Sequence, residues 1–236
     1  MIKLYKHAGP KSFEVFRAAV FGLWFLNLVL TPLDTLAQLP LGIYNPIGIP
    51  FKFFHGLSLV MLNPAFLVFF KWSTTAIVFL AAAGIFPRTS SLIGSMLITL
   101  EQALLRGFGY VNHAELPLLY AAYVITVALF LIPKSKAPNP YQIPFVLFLM
   151  IFLFTYTLIG LHRIAFGGLE VFTTERITYW IAANTYDVSY YRLGWGQRVL
   201  ESPLLNYFFV IGFPVITVFE ILAPLALIYP LFRALF

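Results

Sequence analysis

The sequence contains no cysteine and few charged residues, and each shortage excludes a class of protein. Without cysteine, neither a disulfide framework nor a thiolate-ligated metal site is possible. Only 10% of the residues are charged, whereas 61% are hydrophobic and 18% are aromatic. Because so few polar side chains cannot cover a globule in water, the composition favours a membrane protein over a soluble one.

The motifs of common soluble enzymes are also missing from the 236 residues. There is no phosphate-binding Gly-rich loop, no GxSxG nucleophile motif, no HExxH zinc motif and no dinucleotide fingerprint. The basic residues behind the net charge of +6 are dispersed rather than clustered. We therefore predict neither a metal site nor nucleic-acid binding.

Long apolar runs dominate the sequence instead. A helix of about 20 apolar residues crosses a hydrocarbon core roughly 30 Å thick, and six runs approach or exceed that length. These runs are residues 13–31, 65–86, 90–106, 115–132, 144–162 and 204–232. We predict an all-α, polytopic membrane bundle of about six spans, forming one domain over residues 1–236.

Two connections between the spans are long. Residues 39–64 are apolar but interrupted by Pro and Gly, which predicts a re-entrant or interfacial segment after the first span. Residues 167–203 form a polar insertion whose Tyr and Trp side chains suit the headgroup level. The Lys and Arg residues of the connections are almost evenly divided between the two sides of the membrane. Because long insertions count less in the positive-inside rule, we expect both termini in the cytoplasm.

Six ionisable residues fall inside or at the end of predicted spans: Arg17, Lys71, Glu101, His162, Arg163 and Glu220. Each costs about 2.5–3.5 kcal/mol on insertion scales unless it has a partner or a wet cavity. Glu220 lies near mid-membrane, so it is either neutral or paired with a cation such as Arg17 or Arg163. A packing ion pair and a functional site both remain open for Glu220, and His162 and Arg163 could simply snorkel to the interface.

A polar stretch, GYVNHAEL, separates the third and fourth predicted spans. His113 can exchange a proton near neutral pH. Asn112 could orient the His113 ring or cap the following helix, and Glu115 could hold a proton beside it. The local sequence leaves both a site and a capped loop open.

Five ordered segments carry a family resemblance: RAAVFGLWFLNLV (17–29), GIFPRTSSLIGSML (84–97), YVNHAELPLLYAAY (110–123), YTLIGLHRIAFGG (156–168) and VFEILAPLAL (218–227). Together they resemble the membrane portion of the vitamin K-dependent gamma-carboxylase superfamily, most closely its bacterial HTTM branch. The resemblance implies a helical bundle with a lumenal or periplasmic-side pocket, and we expect the chain in the bacterial inner membrane. It also implies a proton-handling or charge-stabilising role for His113, which matches the family's Asn-His pair, and it aligns the family's last-span acid with Glu220.

The same resemblance argues against the family's best-known reaction. The family's Gly-x-Lys-Lys stretch falls on residues 160–163, where His162 and Arg163 replace both lysines. Arginine is a poor base because its guanidinium stays protonated, so Arg163 cannot repeat the role of the catalytic lysine. Gamma-carboxylation is not expected, and whether the chain is an enzyme stays open.

These observations predict one polar intramembrane pocket that binds or modifies a lipid or quinone-like molecule. His113 and His162 are the candidate catalytic residues. The candidate ligand-binding residues are Asn112, Glu115, Arg163, Glu220, Arg17 and Glu101. The alternative is a non-catalytic membrane subunit or assembly factor that packs against partner membrane proteins or a second copy. A transporter ranks third, because the sequence has no paired broken helices in two matching halves.

Overall fold

The computed structural model describes residues 8–40, 44–45, 60, 62–107, 115–168 and 201–227. All regular structure in these ranges is helical. The α-helices are α1 (Pro10–Leu30), α2 (Pro64–Ala83), α3 (Pro87–Gly107), α4 (Leu116–Leu131), α5 (Gln142–Gly167) and α6 (Pro203–Leu222). Short 3₁₀ helices follow α1, α4 and α6 at Leu33–Gln38, Ile132–Lys134 and Ala223–Leu227.

Five of the described helices are long and apolar enough to cross a membrane. They are α1, α2, α4 with its 3₁₀ extension, α5, and α6 with its 3₁₀ extension. The expected all-helical architecture is therefore confirmed in the described ranges, and a bundle that spans a membrane stays a prediction, which the length and apolarity of these five helices support. The sixth predicted span, residues 90–106, forms α3, but α3 is not among the five, so its crossing stays a prediction.

The side chains of α3 explain why its apolarity is low. Ser91, Ser95 and Glu101 are buried inside the structure, whereas Ile93 and Met96 are exposed. A helix that turns polar groups inward and apolar groups outward is suited to an apolar solvent rather than to water. We expect α3 to cross the membrane because its polar side chains are covered by neighbouring helices.

Prolines mark the helix starts more closely than the apolar runs do. Four helices begin on a proline, at Pro10, Pro64, Pro87 and Pro203, each slightly before the predicted span. Proline suits the first turn because its missing N–H has no partner there. At the start of α2, the Asn63 side chain also accepts a hydrogen bond from the Ala65 N–H at 3.0 Å, which caps the helix.

The chain divides into two compact units at residues 149 and 150. The N-terminal unit, residues 2–149, contains α1 to α4 and the first turns of α5. In it α2 packs against α1 and α3, α3 packs against α4, and α1 closes the arrangement against α4. Phe21 and Trp24 of α1 are fully buried in its core. The C-terminal unit, residues 150–236 with Met1, contains the rest of α5 and α6.

Four antiparallel helices give the N-terminal unit two distinct ends. At one end, the Asn27 side chain near the end of α1 donates to Glu115, just before α4, at 3.4 Å. At the other end, the Asn139 side chain donates to the backbone oxygen of Ala8, just before α1, at 3.0 Å. We call the first the Glu115 end and the second the Ala8 end. They are separated by α4, whose 16 residues span roughly 24 Å.

The two long predicted connections lie largely outside the described residues, as do both termini. Within the predicted re-entrant segment, residues 44–45 lie against the end of α3. The Asn45 N–H donates to the Gly107 oxygen at 2.7 Å, and the Tyr44 ring occupies the space where a Cβ on Gly107 would lie, 2.3 Å from its nearest atom. Tyr44 and Asn45 therefore contact the Glu115 end of the N-terminal unit.

Candidate functional site

Glu101 is the most deeply buried ionisable group among the described residues. It lies on α3 near the Glu115 end, and its side chain is 1% exposed. Neither of its carboxyl oxygens has a hydrogen-bond partner within the described ranges. Its electrostatic neighbours are Glu115, which opposes its negative charge, and Lys71 of α2, which favours it. A buried carboxyl group without a hydrogen bond is costly and calls for an explanation.

Two further side chains share this lack of partners: Gln102, the next residue on α3, and Glu115, an electrostatic neighbour of Glu101. Gln102 is 3% exposed, and neither its amide nitrogen nor its amide oxygen has a partner in the described part of the chain. Glu115 accepts a hydrogen bond from Asn27 through Oε1, but its buried Oε2 has none there. The Glu101 cluster, which we define as Glu101, Gln102 and Glu115, thus holds both free acceptors and free donors.

Arg17 lies at the opposite end of the N-terminal unit from the Glu101 cluster. Its guanidinium donates to the backbone oxygens of Ala81 and Ala82, the latter at 3.0 Å, at the C-terminal end of α2. Cations at a helix C-terminus satisfy its free carbonyls and complement its dipole. Lys71, beside Glu101, is ten residues earlier on α2, or roughly 15 Å away. Arg17 and Glu101 therefore do not share one site.

A glycine makes room for Arg17. Gly84 ends α2 with φ of 78°, a left-handed conformation that strongly favours glycine. A Cβ there would lie 2.6 Å from a guanidinium nitrogen of Arg17. Both the backbone conformation and the close approach therefore require glycine at this position.

An ion pair occupies the C-terminal unit. Nη1 of Arg163 on α5 donates to Oε2 of Glu220 on α6, with side-chain exposures of 27% and 11%. The guanidinium carbon also lies 4.8 Å from the centroid of the Phe213 ring, within cation–π range, and Nη1 lies 3.4 Å from the Thr217 hydroxyl. Of the two cations that the sequence left open for Glu220, Arg163 is the partner.

The two helices that carry this pair approach each other closely. A Cβ on Gly160 would lie 2.8 Å from Cγ1 of Ile221 and 3.1 Å from the Thr217 backbone oxygen. One turn away, the Thr157 hydroxyl donates to the Glu220 backbone oxygen at 3.2 Å. Small residues and interhelical hydrogen bonds of this kind are what hold membrane helices together.

The remaining predicted site residues are placed as follows. His162 is on α5 beside Arg163 with an exposed side chain. Asn112 and His113 lie outside the described residues. The sequence did not identify Gln102 in the Glu101 cluster, or Thr157, Gly160 and Thr217 at the contact between α5 and α6. The spacing of Thr157, Gly160 and Arg163 on one face of an apolar helix is the signal that could have identified the α5 contact.

A metal-binding role finds no support in the described ranges, where no three His, Asp or Glu side chains come together. The comparisons add no identity: no family model matches the chain, and neither curated proteins nor solved structures include a significant match. The resemblance to the HTTM branch therefore stays a prediction from the sequence.

Proposed function

We propose that this chain is a multi-pass membrane protein that binds a quinone-like or other lipid molecule through the Glu101 cluster. The single observation that carries the proposal is the buried Glu101 carboxyl group, which no described residue satisfies. If α3 only had to pack against its neighbours, an apolar residue at this position would make the folded protein more stable. Retaining an acid there favours a ligand or a transferred proton as its partner.

The chemistry of the cluster suits the polar head of a quinone. A quinone presents carbonyl acceptors, for which the Gln102 amide N–H groups are suitable donors. The reduced form presents hydroxyl donors, for which the oxygens of Glu101 and Glu115 are suitable acceptors. An amphipathic ligand also needs an apolar surrounding for its tail, and the predicted lipid environment of α3 supplies one.

His113 belongs to the same proposal through the sequence. It precedes Glu115 by two residues, and histidine is the side chain most suited to exchanging a proton near neutral pH. The resemblance to the HTTM branch implies the same proton-handling role. If the bound molecule is chemically modified, His113 is the residue we would assign as the acid or base.

The Arg163–Glu220 pair favours the packing interpretation over the ligand-binding one. Arg163, Glu220 and Thr217 satisfy one another, and the Gly160 contact brings their helices together. A pair that is already satisfied offers a ligand less than an unpaired acid does. We therefore assign ligand binding to the Glu101 cluster and helix assembly to the Arg163–Glu220 pair.

Tryptophan fluorescence can test this assignment. The indole N–H of Trp24 donates at 3.2 Å to the backbone oxygen of Leu118, one turn from Glu115 on α4. A short-chain benzoquinone bound at the cluster should quench the emission of Trp24, and Trp24→Phe should remove that part of the quenching. Glu101→Met should weaken quinone binding by about tenfold, the loss expected for the hydrogen bonds of an uncharged carboxyl group.

The control for Glu101→Met is Glu14→Gln, which changes an exposed acid near the Ala8 end of the same unit. It should leave the quenching curve unchanged. Equal quenching in the wild type and Glu101→Met would refute the proposed site. If the protein instead copurifies with a larger membrane complex whose function survives both Glu101→Met and His113→Ala, the alternative of a non-catalytic subunit is the better one.

A further inference from the structure

The Ala8 end of the N-terminal unit carries a second feature that the proposed function does not use. A groove of about 320 Å³ runs between the last turns of α4 and the first turns of α5. Its walls are apolar, and four of its side chains face outward as exposed residues: Val127, Leu131, Ile143 and Leu147. The groove lies entirely within the N-terminal unit, at the opposite end of it from the Glu101 cluster, and shares no lining residue with that cluster.

The mouth of the groove is polar and basic. Lys134, the last residue of the 3₁₀ helix that follows α4, and Ser135 line the groove where the two helices join. Lys134 is exposed, so its ammonium can reach the headgroup level while its stem lies along the apolar wall. An apolar groove that ends at a lysine is suited to a molecule with a hydrocarbon chain and an anionic headgroup.

The charged residues around the groove also favour an anionic ligand. The described residues at the Ala8 end carry one carboxylate, Glu14, and five cations: Lys11, Arg17, Arg88, Lys134 and Lys136. Arg88 is fixed there, because its Nε donates to the Leu129 oxygen at the end of α4 at 3.1 Å. Basic pockets between membrane helices attract anionic phospholipid headgroups, particularly on the cytoplasmic side, where we predict this end to lie.

We infer that this groove is a binding site for one anionic phospholipid. One acyl chain lies between α4 and α5, along Val127 and Leu147, and the phosphate of the headgroup contacts the Lys134 ammonium. Phosphatidylglycerol, which has a single negative charge and no cationic group, is the simplest lipid of this chemistry. The site is distinct from the Glu101 cluster, since α4 separates the two ends by roughly 24 Å.

Native mass spectrometry of the delipidated protein in detergent tests the inference. The protein is titrated with phosphatidylglycerol, with phosphatidylcholine of the same chains, and with glycerol phosphate. We expect one phosphatidylglycerol to bind more tightly than phosphatidylcholine and glycerol phosphate not to compete. Equal affinity for the two lipids, or competition by glycerol phosphate, would overturn a site that needs both the charge and the chain.

Matched variants locate the site. Lys134→Ala should weaken phosphatidylglycerol binding by about fivefold, as expected for one surface lysine against an anionic headgroup. Lys136→Ala removes the same charge from the same linker but not from the groove, and should have little effect. Equal losses in both variants would indicate diffuse surface charge and would refute the specific contact.

A second pair of variants tests the apolar part. Val127→Trp fills the groove from an exposed position and should abolish tight phosphatidylglycerol binding. Phe130→Trp, also exposed on α4 but not lining the groove, is its control and should retain binding. Retention of binding in Val127→Trp would place the acyl chain elsewhere and contradict the inference.

Discussion

Replacing Glu101 by methionine should stabilise the folded protein. Methionine is unbranched and adaptable, so it can occupy the space of the glutamate without a polar group. The change removes two carboxyl oxygens that are buried without partners among the described residues, from a side chain that is 1% exposed. An unsatisfied buried polar group costs about 1–3 kcal/mol, so the free energy of unfolding should rise by a similar amount.

Replacing Glu220 by methionine should have the opposite effect and lower the free energy of unfolding. Glu220→Met is the same chemical change, also in a largely buried acid, but it leaves Arg163 without its carboxylate. Breaking a fully buried pair costs about 3–5 kcal/mol. The Arg163 side chain is 27% exposed and partly hydrated, so a smaller loss of about 1–3 kcal/mol is expected here.

Unfolding of the purified protein by sodium dodecyl sulfate, in mixed micelles and followed by circular dichroism, measures both changes. The assay should be run without added quinone, because a bound ligand would stabilise the wild type by mass action. Glu101→Met should shift the midpoint to higher denaturant and Glu220→Met to lower denaturant. A destabilised Glu101→Met would show that the carboxyl group has partners in the folded chain, and the reasoning would fail.

Two glycine comparisons test the helix contacts in the same unfolding assay. Gly160→Ala should destabilise the protein because its Cβ meets α6, whereas Gly212→Ala, with open space around it, should be neutral or stabilising by about 0.5–1 kcal/mol. Gly84→Ala should cost about 1–2 kcal/mol for its left-handed conformation and displace Arg17, whereas Gly22→Ala on α1 should be tolerated. Equal effects within either pair would contradict the packing described for it.

The helices could be predicted from the sequence because each is a long apolar run with a proline near its start. The predicted spans and the described helices agree in number and order up to α6. Mean apolarity alone does not identify α3 as a membrane span, because its polar side chains are buried inside the structure. Whether a polar residue in such a run faces lipid or protein depends on tertiary packing, which local composition does not encode.

The candidate site was harder to predict than the helices, for a physical reason. Sequence reasoning identified Arg17, Glu101, Arg163 and Glu220 as costly residues, but their partners are distant in the chain. Arg17 is satisfied by backbone carbonyls at the end of α2, which any sequence would supply, so no side-chain pattern predicts that contact. The expectation of one pocket joining Arg17 and Glu101 is wrong, because the two residues lie at opposite ends of the N-terminal unit.

Photoaffinity labelling tests the central proposal most directly. A quinone that carries a photoreactive group close to its ring is bound to the protein in detergent, irradiated, and its attachment sites are mapped by mass spectrometry. Labelling should concentrate on the peptides that hold Glu101 and Glu115, compete with unlabelled quinone, and disappear in Glu101→Met. Labelling spread over the lipid-facing surfaces of all the helices, unchanged by competitor or by the substitution, would contradict a quinone site at the Glu101 cluster.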